Sequence, residues 1–255
     1  MKMLSAALAL TVAAASPALA AEPTGAELLR KVDDALNAFK DGVFDAKLRV
    51  REPNGTAREF AFVTYQKSDP KKPSESKRLV RFTSPGDVKG MGVLVENSET
   101  MYVFLPGFQK VRRMGTHIKN QTFMGSDFSF EDMSQLAFSE VYDAKLVGKD
   151  DKQWFLELTQ KAGKDLEFPR IKLAADLKMF QPLRIEYQDA AGKTLKEQLR
   201  DNYKQDSPIH WQPMRVLITD HRRNDHQSEI DFTSTKIDVG LSDDVFSVRS
   251  LVRGQ

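Results

Sequence analysis

Between Thr24 and Phe39 the apolar residues Leu28, Val32, Leu36 and Phe39 recur at helical spacing, which predicts one amphipathic helix over residues 26–40. Thr24-Gly-Ala-Glu27 is a capping box at its start: the Thr24 hydroxyl can accept from the Glu27 amide while the Glu27 carboxylate reaches back. Gly42 is the expected stop. From there the period falls to two. Phe44, Ala46, Leu48 and Val50 alternate with Asp45, Lys47 and Arg49, and a turn at Pro53-Asn54-Gly55 leads to a second strand carrying Phe60, Phe62 and Tyr65. Residues 77–83, 92–95, 99–105 and 109–114 read as further strands. So do 142–147 and 153–159, a hairpin, then 171–173, 182–187 and 194–203. A last hairpin joins 211–220 to 228–237 through the polar turn 221–227, and residues 238–248 form a short coda.

Many strands at hairpin spacing with few helices predict an α+β fold built on one antiparallel sheet of about 10–11 strands. A sheet of that size twists and curls into a strongly curved surface or incomplete barrel. Two helical stretches, 26–40 and 128–138, are then the expected covers of its concave face, with a cavity between.

The stretch 99–133 carries the candidate chemistry. An apolar strand turns at Pro106-Gly107 and leads into a loop and short helix rich in Phe and Met. Tyr102, Phe104, Phe123, Met124, Phe128, Phe130 and Met133 are the candidates for the wall and lid of an apolar cavity, since rings and thioethers repack around varied shapes. Gly115 and Gly125 are candidate hinges of that lid. Lys110, Arg112 and Arg113 follow the apolar strand; they are candidates for contact with lipid phosphates or an acidic partner, against the plainer reading of a solvated strand face.

Catalytic alternatives on the same residues are weaker. Asp127, Glu131 and Asp132 could be paired carboxylates, but Ser129 followed by two acids reads as a helix cap. Gly125-Ser126-Asp127 lacks the second glycine of a nucleophile elbow, with Phe128 in its place. His221 and His226, near Asp220, Asp225 and Asp231, have a spacing that suits a polar turn better than a metal site, and His117 and His210 stand alone. No enzyme activity, metal or cofactor is expected.

The first residues set the expected compartment. Lys2, an apolar run over 4–15, Pro17 and Ala18-Leu-Ala20 form an export signal ending in a small-x-small cleavage pattern. The run of about 12 residues is short of the roughly 20 that span a bilayer. Residues 1–20 are therefore expected to be removed, leaving 21–255 as one domain. The absence of cysteine excludes disulfides and an acylated N-terminal cysteine, so a monomer free in a bacterial periplasm is expected. A net charge of +2 argues against nucleic acid as partner.

Several segments together resemble the LolA-like outer-membrane lipoprotein-sorting family. They are the Met101-Tyr-Val-Phe-Leu-Pro106 strand, Leu183-Arg-Ile-Glu-Tyr187 through Ala191-Gly-Lys193, and the ending Leu241-Ser-Asp-Asp-Val-Phe246. Met124-Gly-Ser-Asp-Phe-Ser129 is similar to a subgroup of large, poorly characterised relatives, and the long 123–138 flap departs from the dedicated carrier. The resemblance implies an incomplete barrel with a helical lid, and binding of acyl chains of a lipoprotein or lipid on the way to the outer membrane. It also implies, as an alternative role, docking on an inner-membrane exporter of the resistance-nodulation-division type.

Overall fold

The structure, a computed structural model, describes residues 22–52, 55–69, 71–97, 99–115, 121–130, 132 and 137–253. The expected export signal, Met133, Glu131 and His117 lie outside the described residues.

Helix α1 (Gly25–Leu36) opens the fold, with the capping box at Thr24 and Glu27 in place. It stops at Asn37, earlier than expected. Gly42 belongs to the first strand, where a Cβ would lie 2.8 Å from the Phe44 ring. At the other end of α1, a Cβ on Gly25 would lie 2.5 Å from the Ala144 carbonyl oxygen, so glycine lets the helix sit directly on strand backbone.

Thirteen strands follow among the described residues, rather than ten or eleven: β1 (Asp41–Arg51), β2 (Ala57–Lys67), β3 (Lys77–Ser84), β4 (Gly92–Val95), β5 (Met101–Leu105) and β6 (Lys110–Arg113). After a long connection come β7 (Tyr142–Lys149), β8 (Gln153–Gln160), β9 (Arg170–Asp176), β10 (Pro182–Gln188), β11 (Thr194–Ser207), β12 (His210–Asp220) and β13 (His226–Ile237). All pair antiparallel in one sheet, ordered β6-β5-β4-β3-β2-β1-β13-β12-β11-β10-β9-β8-β7. Two meanders thus meet where β1 pairs β13, and the sheet stays open, with β6 and β7 as its edges. The connection between β6 and β7 therefore starts at one free edge and ends at the other.

The sheet is strongly curved. β3 and β11 stand five places apart in the order, about 24 Å on a flat sheet. Yet Arg78 of β3 and Arg200 of β11 line the same cavity.

Three apolar clusters hold the fold. One joins β1–β5, β12 and the 123–130 segment, through residues such as Phe60, Phe62, Phe82, Val103 and Phe123. A second packs Leu28, Leu29 and Val32 of α1 on Leu156, Ile171 and Ile185 of β8–β10. Each such leucine is worth about 1.5–3 kcal/mol when fully buried. The third lies on the other side of the sheet. Leu79, Leu94 and Phe104 alternate with Val80, Val93 and Val103, so they point the opposite way, and there they meet Phe246 and Leu251. Leu251 belongs to a short helix, α2 (Val248–Arg253), that follows the expected coda of residues 238–248. Arg81 donates to the carbonyls of Ser250 (2.8 Å) and Leu251 (3.3 Å), satisfying acceptors that a helix end leaves open.

Phe104, 4 % exposed, is thus a core residue of the outer face rather than of the cavity wall. Phe104→Ala is expected to cost about 3–5 kcal/mol of stability. Urea unfolding monitored by far-UV circular dichroism would show it; a loss below about 1 kcal/mol would contradict the placement.

Candidate functional site

A cavity of about 270 Å³ lies beneath the β6–β7 connection, near the lower end of the range for ligand pockets. Its walls come from both meanders: β1–β3 on one side, β9–β13 on the other, with Leu36 and Asn37 after the body of α1. Register shows how its character changes along the strands. On β2 and β3, Phe62 pairs with Phe82, then Thr64 with Val80, then Gln66 with Arg78. The wall therefore runs from apolar to polar to cationic within four residues. β11 is polar on the cavity side, where Gln198 and Arg200 alternate with Leu199.

From the described parts of the β6–β7 connection, Phe123, Phe128, Ser129, Asp132 and Phe138 line this cavity and form its roof. Phe123 stacks at 5.3 Å on Phe82, which touches Phe62 at 5.6 Å, and Phe130 meets Phe123 edge-on at 5.2 Å. Phe123 and Phe128 face the cavity itself. Met124 and Gly125 both take positive φ, 56° and 74°, in a tight turn closed by the Ser126 amide on the Phe123 carbonyl (2.9 Å). Glycine suits that position, because a Cβ on Gly125 would lie 2.6 Å from Arg58 Nη2.

Three carboxylates, two buried (Asp33, Asp127) and one half-buried (Asp132), pin the roof to the body. Asp127 accepts from Arg223 Nη1 (2.8 Å) and from Ser228 Oγ (2.7 Å), and His226 Nδ1 lies 2.8 Å from its carboxylate. Arg223 also donates to the carbonyls of Ser126 (3.0 Å) and Gly125 (3.1 Å). Asp132 accepts from Lys196 Nζ at 2.8 Å and from the Ser129 amide at 2.7 Å, while the Asp132 amide donates back to Ser129 Oγ. Lys196, 1 % exposed, stands over the rings of Phe168 and Tyr187. Asp33 of α1 accepts from the amides of Phe138 and Ser139, both at 2.8 Å. Burial pushes the Asp33 carboxyl above the usual range, against the pull of the bonds from Ser139 and Phe138.

The same contacts show how the residues of the catalytic alternatives are engaged. Asp127, His226 and Ser228 are the residue types of a nucleophile triad, but the carboxylate sits between the other two. Ser228 Oγ donates to Asp127, not to the imidazole, so the serine–histidine hydrogen bond of such a triad is not formed. Ser126 Oγ donates to the Phe123 carbonyl and closes the turn. Ser129 and Asp132 bond reciprocally as a cap. His221 bonds Asp225 on the exposed part of the turn between β12 and β13, which is polar and solvated as expected, while Arg223 and His226 of the same turn reach in to hold Asp127.

The remaining candidates fall away from the cavity. Tyr102 and Phe104 lie on the outer face of β5, and the inner positions of that strand are Met101, Val103 and Leu105. Lys110, Arg112 and Arg113 are exposed on the edge strand β6, where charge opposes pairing with another sheet. Met124 and Phe130 pack in the first core cluster without facing the cavity, and Gly115 precedes residues outside the description. Arg78, Arg200 and the clasp partners Lys196 and Arg223 were not among the sequence candidates, and His226 entered only as part of a weak metal-site alternative. Each clasp joins residues 64 or more positions apart, and no local motif marks such pairs.

Burial, and then the charge of Arg200, pull the Arg78 guanidinium down to about 10, so it remains charged at neutral pH. Burial also lowers His210, which meets Phe39 edge-on at 5.0 Å beside the cavity.

A family model described as an uncharacterized protein matches residues 74–253. No curated protein matches the chain. Among solved structures, a DUF1329 family protein from Desulfovibrio piger is 27 % identical, with a TM-score of 0.81 over 89 % of this chain and 97 % of that one. A putative outer membrane lipoprotein-sorting protein domain from Vibrio parahaemolyticus is 21 % identical, TM-score 0.80, covering 90 % of this chain and 98 % of that one. A LolA superfamily protein from Nitrosomonas europaea is 18 % identical, TM-score 0.71, covering 89 % and 99 %. The match over residues 74–253 leads to one assignment: the chain belongs to this uncharacterised family, and its open, curved sheet has the fold of LolA-like proteins.

Proposed function

We propose that the protein is a periplasmic carrier that shields an acyl chain, of a lipoprotein or a lipid, during transfer towards the outer membrane. The observation that carries this reading is the cavity: an apolar stretch of wall from Phe62, Phe82 and Val80, roofed by Phe123 and Phe128. Each methylene kept from water contributes about 0.8 kcal/mol, so a 16-carbon chain gains on the order of 12 kcal/mol from a dry site. A roof held by polar clasps as well as by the packing of Phe123, Phe128 and Phe130 suits a site that must also release its load. The lining residues Leu36 and Asn37, at the end of α1, support a second cover there. The lipoprotein-sorting role for which the Vibrio parahaemolyticus domain is named supports the reading. So do the export signal expected over residues 1–20 and the fact that no described helix is long and apolar enough to cross a membrane. We read it as a binder rather than a catalyst because the serines near His226 and Asp127 are engaged as structural donors.

Phe128→Asp tests this. It sets a carboxylate in the apolar roof, and the affinity for a fluorescent 16-carbon fatty acid is expected to fall about tenfold or more. Phe104→Asp, on the outer face, is expected to lower stability while the folded fraction binds as wild type does. If Phe128→Asp binds the probe as tightly as wild type, the tail lies elsewhere and the reading fails.

A further inference from the structure

One end of the cavity carries buried polar groups that the fold leaves unpaired. β1, β12 and β10 run in the same direction, since one antiparallel strand separates each from the next. Their starts therefore share one rim of the sheet. Phe39 leads into β1, Gln181 precedes β10, and His210 and Gln212 open β12; all four line the cavity. Gln181 is 1 % exposed. Its Nε2 donates to the Ala35 carbonyl at 2.8 Å, which fixes the amide, and its Oε1 has no donor among the described residues. His210 is 2 % exposed, and its Nδ1 likewise has no hydrogen-bond partner there. The Asp206 carboxylate, at 3.7 Å, stays out of reach. Gln212 gives its Nε2 to the Pro213 carbonyl at 3.1 Å, so its Oε1 is a further acceptor at the same rim. A buried acceptor without a donor is costly, and native folds keep few of them.

We propose that this end of the cavity holds a hydroxyl-bearing head group, of the glycerol or sugar class, while the acyl tail runs past Phe44 and Phe62 towards the roof. This rests on the acyl-carrier reading above and narrows it. What Gln181 Oε1 lacks is a donor. An ionised carboxylate or a methyl ester has none to give, whereas a hydroxyl has one. Burial keeps the His210 ring neutral at pH 7, with one nitrogen a donor and the other an acceptor. A hydroxyl both donates and accepts, so it fits Nδ1 in either tautomer. Phe39 meets His210 edge-on at 5.0 Å and Phe44 at 5.7 Å, which puts apolar rings directly beside the polar groups, as an amphiphile requires.

Displacement of a bound fluorescent 16-carbon fatty acid tests this, with monopalmitoylglycerol, methyl palmitate and glycerol as competitors. The two esters share their tail and differ in the hydroxyls. Monopalmitoylglycerol should compete at least tenfold better, although methyl palmitate is the more apolar, and glycerol alone should not compete. Gln181→Met, close in size and without an acceptor oxygen, should cut that preference to threefold or less and leave the affinity for methyl palmitate unchanged. His210→Phe, which keeps a ring against Phe39, should lower the preference as well, and it serves where melting curves show Gln181→Met to be unfolded. Equal competition by the two esters would show that protein or water completes the unpaired groups; it would overturn the head-group proposal and leave the carrier reading standing. A preference that survives in both folded variants would overturn the assignment to Gln181 and His210. Failure of both esters and of the probe to bind would overturn the carrier reading as well. Glycerol competing as strongly as its ester would show a free-polyol site and overturn the lipid assignment.

Discussion

Val80→Trp is expected to weaken acyl-chain binding about a hundredfold. Val80 sits midway along the cavity wall, between Arg78 at the cationic end and Phe82 at the apolar end. An indole there fills the passage that a tail must occupy. Excluding even four methylenes from the cavity forfeits about 3 kcal/mol, which is roughly a hundredfold in affinity. Because the side chain grows into open space, the stability cost should stay within the about 1–3 kcal/mol typical of overpacking. Titration of a fluorescent fatty acid into variant and wild type, with melting curves alongside, separates the two effects. Unchanged affinity in a folded variant would mean that the cavity is not the binding site.

Asp127→Ala is expected to cost about 3–5 kcal/mol of stability, the range for leaving a buried ionic cluster without one partner. Asp127 is 2 % exposed and engages Arg223, His226 and Ser228 at once, so its loss strands a guanidinium, an imidazole and a hydroxyl. The effect should also be local. Hydrogen exchange at residues 121–130 should quicken, because Arg223 holds the carbonyls of Gly125 and Ser126 only while Asp127 orients it. Amides of β1 and β2 should keep their protection up to the limit set by the lower global stability. Uniform loss of protection across the sheet, with no excess in 121–130, would show that Asp127 supports the core and not the roof.

Much of the sheet was legible because alternation is a local property. Phe44, Ala46, Leu48 and Val50 declare β1 without knowledge of any partner, and each of the thirteen strands overlaps a segment that the pattern marked. What the pattern could not assign was the side of the sheet. On β5 both faces are buried, so Tyr102 and Phe104 looked as fit for a cavity as Met101, Val103 and Leu105. The choice depended on α2, whose six residues carry little helical signal of their own. That helix is held by Leu251 against Phe104 and Phe246, which is tertiary packing and not propensity.

The cavity's chemistry was hidden for a related reason. Arg78 and Arg200 sit in alternating strands among other cations and read as solvent-facing. Only closure of the sheet turns them inward on one space. The clasps were half visible: Asp127 and Asp132 stood out in the Phe-rich segment, but their partners Lys196, Arg223 and His226 lie 64, 96 and 99 positions further along the chain. The capping reading of Ser129 and Asp132 was accessible because both partners lie within one turn.

The central claim, that a hydrocarbon tail lies inside the cavity, has a built-in reporter. The chain has two tryptophans, and Trp211 lines the cavity while Trp154 is on β8 outside it. In a Trp154→Phe variant, a brominated 16-carbon fatty acid should quench Trp211 fluorescence saturably at one molecule per chain, since bromine quenches only at short range. Quenching that rises linearly without saturation, or binding of the brominated lipid that leaves Trp211 fluorescence untouched, would contradict the account.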